Sequence, residues 1–138
     1  IERLDDADML LVGVSRTSKT PTSMYLGHRG FKVANYALVP GVPFPIDKLP
    51  EKNIFIVGLT TDPKRLMQVR KTRLQHLSNL SNPNYADLDI ITNEVRDARK
   101  LFSRQNWPVI DVSRRSVEEI AASIIHLYRQ WLDQLDNV

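Results

Sequence analysis

Four short apolar runs and four longer stretches follow along the chain in the order strand, helix, strand, strand, helix, helix, strand, helix. The first run, Met9-Leu10-Leu11-Val12, is continuous rather than alternating. That pattern predicts a strand over Asp8–Val14 buried on both faces, as in a parallel sheet. Asp5, Asp6 and Asp8 form its polar lead-in. A short helix is expected over Pro21–Gly30, with Pro21 just inside its start and Gly27 and Gly30 bracketing its end. Phe31–Val39 reads as a second strand, carrying Val33, Tyr36, Leu38 and Val39 as apolar positions. Pro40, Pro43, Pro45 and Pro50 make the next connection irregular. The clearest strand is Asn53–Leu59, with Ile54-Phe55-Ile56-Val57 closed by Gly58.

Asp62-Pro63 is a helix-start signal, a cap followed by proline at the first helical position. In that helix Leu66, Arg70, Leu74 and Leu77 share one stripe. Ser78–Tyr85 is read as a polar loop and Asp87–Arg104 as the next helix, with Leu88, Ile91, Val95, Ala98 and Phe102 as its packing face. Trp107–Val112 is a short fourth strand. Ser116 and Glu119 form a capping box for a last helix whose stripe runs Val117, Ile120, Ala121, Ile124, Tyr128, Trp131, Leu135. The order of elements predicts an α/β fold: a three-layer, P-loop kinase-like domain on a mainly parallel sheet. One domain spans 1–138, with no internal repeat or low-complexity tract.

Composition narrows the chemistry. A chain of 138 residues buries roughly two-thirds of its unfolded surface. Nineteen basic against sixteen acidic side chains leave a net charge of +3. That excess suits phosphate handling but is too small and dispersed to argue for nucleic acid. Without cysteine there are no disulfides or thiolate metal sites, and the three scattered histidines, His28, His76 and His126, make no zinc pattern. No apolar run reaches membrane-spanning length and no signal peptide is recognised, so a cytoplasmic protein is expected. The chain opens Ile1-Glu2-Arg3 rather than with Met, which is expected of a piece of a longer polypeptide.

The stretch that carries chemistry is Gly13-Val14-Ser15-Arg16-Thr17-Ser18-Lys19-Thr20. Strand, turn, Lys-Thr and helix follow in the order of a P-loop. There, backbone N–H groups converge on phosphate oxygens, the helix dipole adds positive potential, the lysine neutralises charge and the final threonine holds Mg²⁺. The usual pattern has glycine where Ser18 stands, so that position is expected to carry backbone strain or a different φ. The plainer reading is a polar strand-to-helix turn. An arginine on an inward stripe needs a carboxylate or phosphate partner, which singles out Arg70, with Arg73 its neighbour three residues on. The alternative is that Arg65, Arg70, Lys71 and Arg73 make a solvated basic face. Asp62, at a strand-to-helix junction on the carboxyl edge of the sheet, is a candidate general base or a plain helix cap. Asp111 lies within the fourth strand and is equally consistent with a structural role.

Ala7 to Pro21, read whole, resembles the signature of the regulatory proteins of pyruvate, phosphate dikinase and phosphoenolpyruvate synthase. Further segments match in the same order: Lys32-Val33-Ala34-Asn35, Gly58-Leu59-Thr60, Arg70-Lys71-Thr72-Arg73, Asn84-Tyr85-Ala86, Pro108 to Ser113, and Glu118-Glu119. The resemblance covers nearly the whole chain, and Ser18 belongs to the bacterial form of that signature. It implies the C-terminal, nucleotide-binding half of a bifunctional enzyme. In one direction this is a serine/threonine kinase that uses ADP as phosphoryl donor and inactivates its target on a threonine beside the catalytic histidine. In the other, inorganic phosphate removes that group and pyrophosphate is released. The implied target is pyruvate, phosphate dikinase or phosphoenolpyruvate synthase, with no nucleic acid or membrane partner; a homo-oligomer is compatible with it.

On this basis the backbone of Gly13, Val14, Ser15, Arg16, Thr17, Ser18 and Lys19 is expected to wrap the diphosphate of ADP. Lys19 would neutralise the transferring phosphoryl group, Thr20 would hold Mg²⁺, and Arg16 would clamp a second phosphate or face solvent. Arg70 and Arg73 are expected to stabilise charge across the site, and Asp62 to act as base. Two other functions stay open: a P-loop kinase of a small molecule or nucleotide, and a nucleotide-sensing module without catalysis.

Overall fold

The computed structural model describes residues 4–50, 53–76 and 86–136. Among these described residues four strands and four α-helices follow in the expected order: β1 (Met9–Val14), α1 (Lys19–His28), β2 (Val33–Leu38), β3 (Phe55–Thr60), α2 (Pro63–His76), α3 (Leu88–Arg104), β4 (Val109–Asp111) and α4 (Val117–Asp136). The sheet order is β2-β1-β3-β4, and every pairing is parallel.

The apolar run of β1 is divided by the period of two that a strand imposes. Leu10, Val12 and Val14 join Ile56 on one face and pack with Leu66 of α2 and Ile91, Val95 and Phe102 of α3. Met9 and Leu11 join Phe55, Val57 and Leu59 on the other face and pack with Leu26 of α1 and Ile120 and Ile124 of α4. This is the expected three-layer arrangement. Gly58 has a packing reason: a Cβ there would lie 2.5 Å from Cδ2 of Phe102, so the ring rests directly on the strand.

Some boundaries differ from the sequence expectation. α1 begins at Lys19, two residues before Pro21. Pro21 is tolerated at the third helical position because the first four N–H groups of a helix have no intrahelical partner. β2 and β4 are shorter than expected, being the edge strands of the sheet. α4 runs 20 residues, about 30 Å, and outreaches the six-residue strands of about 20 Å beneath it. Its stripe is therefore buried at Ile120 and Ile124 but exposed at Leu135. The Ser116–Glu119 capping box forms as expected: the Glu119 N–H donates to Ser116 Oγ at 3.1 Å, and the Ser116 N–H donates to Glu119 Oε1 at 3.3 Å. The expected loop Ser78–Tyr85 and the position of Leu77 lie outside the described residues, as do the side chains of Leu74 and His76.

Candidate phosphate-binding site

β1 ends at Val14 and α1 begins at Lys19, so four residues, Ser15 to Ser18, make the turn. Two of them have left-handed backbones: Arg16 at φ 69° and Ser18 at φ 64°. Such φ values cost a residue with a Cβ about 1 kcal/mol or more. Ser18 therefore carries the strain that glycine at that position would avoid. Gly13 fits only as glycine. A Cβ would lie 2.7 Å from Thr17 Oγ1 and 2.9 Å from the Leu59 carbonyl oxygen of β3.

The turn is held from within. The Thr17 side chain is fully buried, and its hydroxyl donates to the Val14 carbonyl at 2.9 Å. Lys19 curls back over the loop. Its ammonium donates to the same Val14 carbonyl at 2.6 Å and to Thr17 Oγ1 at 3.2 Å. Lys19 is buried, and its pKa falls to about 8; burial is the main cause, followed by the charges of Arg70 and Arg16. The lysine thus sits at the start of a helix with two guanidinium groups acting on it, an environment that favours an anion.

Arg70 is buried, although its place on α2 lies one turn after Leu66 on an apolar stripe. Its partner is a carboxylate, one of the two anions the inward-stripe reading allowed. Nη1 and Nη2 each donate to Glu94 of α3 at 3.0 Å, and Nη2 also donates to the Ser15 carbonyl at 3.2 Å. Arg70 therefore meets the loop through main chain. The solvated-face reading fails at Arg70 and holds for Arg65, Lys71 and Arg73, which are exposed. Arg16 is exposed within the loop, and Thr20 is exposed in the first turn of α1.

Asp62 follows β3 on the same edge of the sheet as the loop. Its carbonyl accepts from the Leu66 N–H at 3.0 Å, so it occupies the capping position, and its own N–H donates to Ser113 Oγ at 2.9 Å. Ser113 also meets Thr61 Oγ1 at 3.0 Å. Asp111 serves the turn after β4 by accepting from the Ser113 N–H at 2.8 Å. Its partial desolvation is outweighed by the Ser113 hydrogen bonds and the charges of Arg99 and Arg115, which together hold its carboxyl below the usual range. A hollow of about 690 Å³ at these strand ends is lined by Asp62, Lys64, Arg65, Asp111, Ser113 and Arg114 among others. A second cleft, about 460 Å³, meets the loop at Val14 and is otherwise walled by the Leu38–Phe44 segment and α3.

Glu94 was not singled out by sequence. The available signal was a charge three residues after Ile91 and four before Ala98, inside the packing face of α3. Among the described residues no three His, Asp or Glu side chains gather to hold a metal ion. Thr20 offers an exposed hydroxyl in the first turn of α1, an oxygen donor of the kind a magnesium ion accepts.

Comparison with known proteins bears on this geometry. A family profile described as Kinase/pyrophosphorylase matches residues 1–125. A protein of Paramagnetospirillum magneticum, provisionally named pyruvate, phosphate dikinase regulatory protein, is 53% identical over 134 residues, 97% of this chain and 43% of its own length. Proteins of the same provisional name from Caulobacter vibrioides and Wolbachia pipientis are 56% and 47% identical, over 90% and 96% of this chain and 39% and 48% of their own. The chain thus spans somewhat under half the length of these curated relatives. No helix among the described residues is long and apolar enough to cross a membrane.

Proposed function

Since the chain belongs to the kinase/pyrophosphorylase family, we propose that it is the nucleotide-binding part of a bifunctional regulator of pyruvate, phosphate dikinase or phosphoenolpyruvate synthase. As a kinase it moves the β-phosphoryl group of ADP to a threonine hydroxyl of the target. The bond from the bridging oxygen to Pβ breaks, a Thr Oγ–Pβ bond forms, AMP leaves, and the hydroxyl proton passes to a base. As a pyrophosphorylase it lets inorganic phosphate attack the phosphothreonine phosphorus, which releases free threonine and pyrophosphate.

The observation that carries this reading is the Lys19 ammonium folded onto the Val14 carbonyl inside its own loop. A diphosphate replaces that carbonyl as acceptor, and a charged acceptor forms the stronger hydrogen bond. The N–H groups at the start of α1 and the guanidinium of Arg16 take the remaining phosphate oxygens. Bound Mg²⁺ supplies further neutralisation of phosphate charge, with Thr20 as its protein ligand. Asp62, on the same carboxyl edge of the sheet as the loop, is the candidate base. Transfer of this kind depends on positioning and charge neutralisation, which these groups provide.

The test is to incubate the full-length protein with each purified target, magnesium, and ADP, ATP or GTP, and to read phosphothreonine by mass spectrometry. Modification with ADP supports the proposal. Transfer from ATP to a small molecule instead would favour a metabolite kinase, and nucleotide binding without transfer a sensing module.

A further inference from the structure

We propose that Glu94 is a positioning residue for the phosphate loop and acts through Arg70. The inference deepens the diphosphate-binding reading and rests on it.

Arg70 is a long side chain reaching out of α2, and alone it would sample many rotamers. The Glu94 carboxylate takes both terminal nitrogens of its guanidinium at 3.0 Å, which fixes the plane of the fork. With that plane fixed, Nη2 donates to the Ser15 carbonyl at 3.2 Å. The Ser15 carbonyl and the Arg16 N–H belong to one rigid peptide plane and point in opposite directions. Anchoring that oxygen toward Arg70 therefore turns the Arg16 N–H the other way. It also holds the peptide next to Arg16, whose φ of 69° is costly without glycine.

Charge points the same way. Arg70 is 1% exposed, and its charge acts on buried Lys19. Two buried cations side by side are tolerable only with a counter-charge, and Glu94, its side chain 8% exposed, provides one. A helix-to-helix staple between α2 and α3 needs only the Arg70–Glu94 bonds. The third bond, to Ser15, ties the pair to the loop.

The test uses the full-length protein with Glu94→Gln, Arg70→Met, the double variant and Arg70→Lys. ADP affinity is read by calorimetry, and amide hydrogen exchange of residues 13–19 is read without nucleotide. Glu94→Gln is expected to weaken ADP about tenfold and to speed exchange in the loop. The double variant is expected to lose no more affinity than Arg70→Met alone, because Glu94 acts only through that residue. Arg70→Lys keeps the charge but loses the fork, and is expected to loosen the loop as well. A lowered melting temperature with unchanged loop exchange in Glu94→Gln and Arg70→Lys overturns the proposal and leaves a staple only. Additive losses in the double variant overturn it too. If the wild-type protein fails to bind ADP, the diphosphate reading falls, while the exchange measurement still decides the role of Glu94.

Discussion

The ammonium of Lys19 donates to the carbonyl of Val14, five residues back, at 2.6 Å. One oxygen atom, shared with the hydroxyl of Thr17, thus holds the cation that a phosphate would claim. Replacing Lys19 by Met is expected to weaken ADP binding by about 10- to 100-fold, the loss of a charge-assisted hydrogen bond. The far-UV circular dichroism spectrum should not change, because the side chain packs within its own turn. Nucleotide affinity retained in that variant would remove the role of the loop.

The depressed pKa of Lys19 gives a pH dependence with a definite sign. Its value falls from 10.5 to about 8, chiefly through burial. Below pH 8 the ammonium is present; as pH rises through 8 it is lost, and ADP affinity should fall by about tenfold per unit until the pKa of the bound state is reached. Stability should move oppositely. Between pH 8 and 10.5 the unfolded chain binds more protons at this site than the native one, so the contribution of Lys19 to stability rises with pH there. Calorimetric titrations and urea melts across this range check both signs, and Lys19→Met should flatten both.

Ser18 tests the strain in the turn. With φ at 64°, Ser18→Gly is expected to stabilise the protein by up to about 1 kcal/mol, less the entropy that glycine adds to the unfolded chain. Gly13→Ala should do the reverse. A Cβ 2.9 Å from the Leu59 carbonyl oxygen pushes β1 from β3, at a cost of about 1–3 kcal/mol. Urea denaturation of both variants reads the difference.

The paired arginines of α2 should separate. Arg70→Met leaves Glu94 buried without its cation, which costs about 3–5 kcal/mol. Arg73 is exposed, and Arg73→Ala should change stability by no more than about 0.5 kcal/mol. Thermal melts of the two variants make the comparison. Equal effects would contradict the burial of only one of them.

These contrasts show where sequence reading succeeded and where it ran out. The continuous apolar run of β1 announced a strand buried on both faces, and the stripe of α2 offered two readings of Arg70, an inward cation with an anion partner or part of a solvated face, of which the structure shows the first. Both follow from periodicity, which sequence carries directly. The partner of Arg70 did not emerge, because Glu94 lies in another helix and only the sheet brings α2 and α3 together. The start of α1 was placed at Pro21 by the first-turn preference of proline, whereas the left-handed Ser18 starts it at Lys19. The φ of Arg16 and the reach of Lys19 to Val14 depend on how the turn closes, and no residue type specifies that. Arg73, grouped with Arg70 by spacing, lies about 60° round the helix from it, enough to take it off the buried stripe and leave it exposed.

The most direct measurement is a crystal structure of the protein with ADP and magnesium. The account predicts the two phosphates within hydrogen-bond reach of the main-chain N–H groups of residues 15–19, with Lys19 Nζ moved from the Val14 carbonyl to a phosphate oxygen. ADP seated elsewhere, with Lys19 still bonded to Val14, would contradict it.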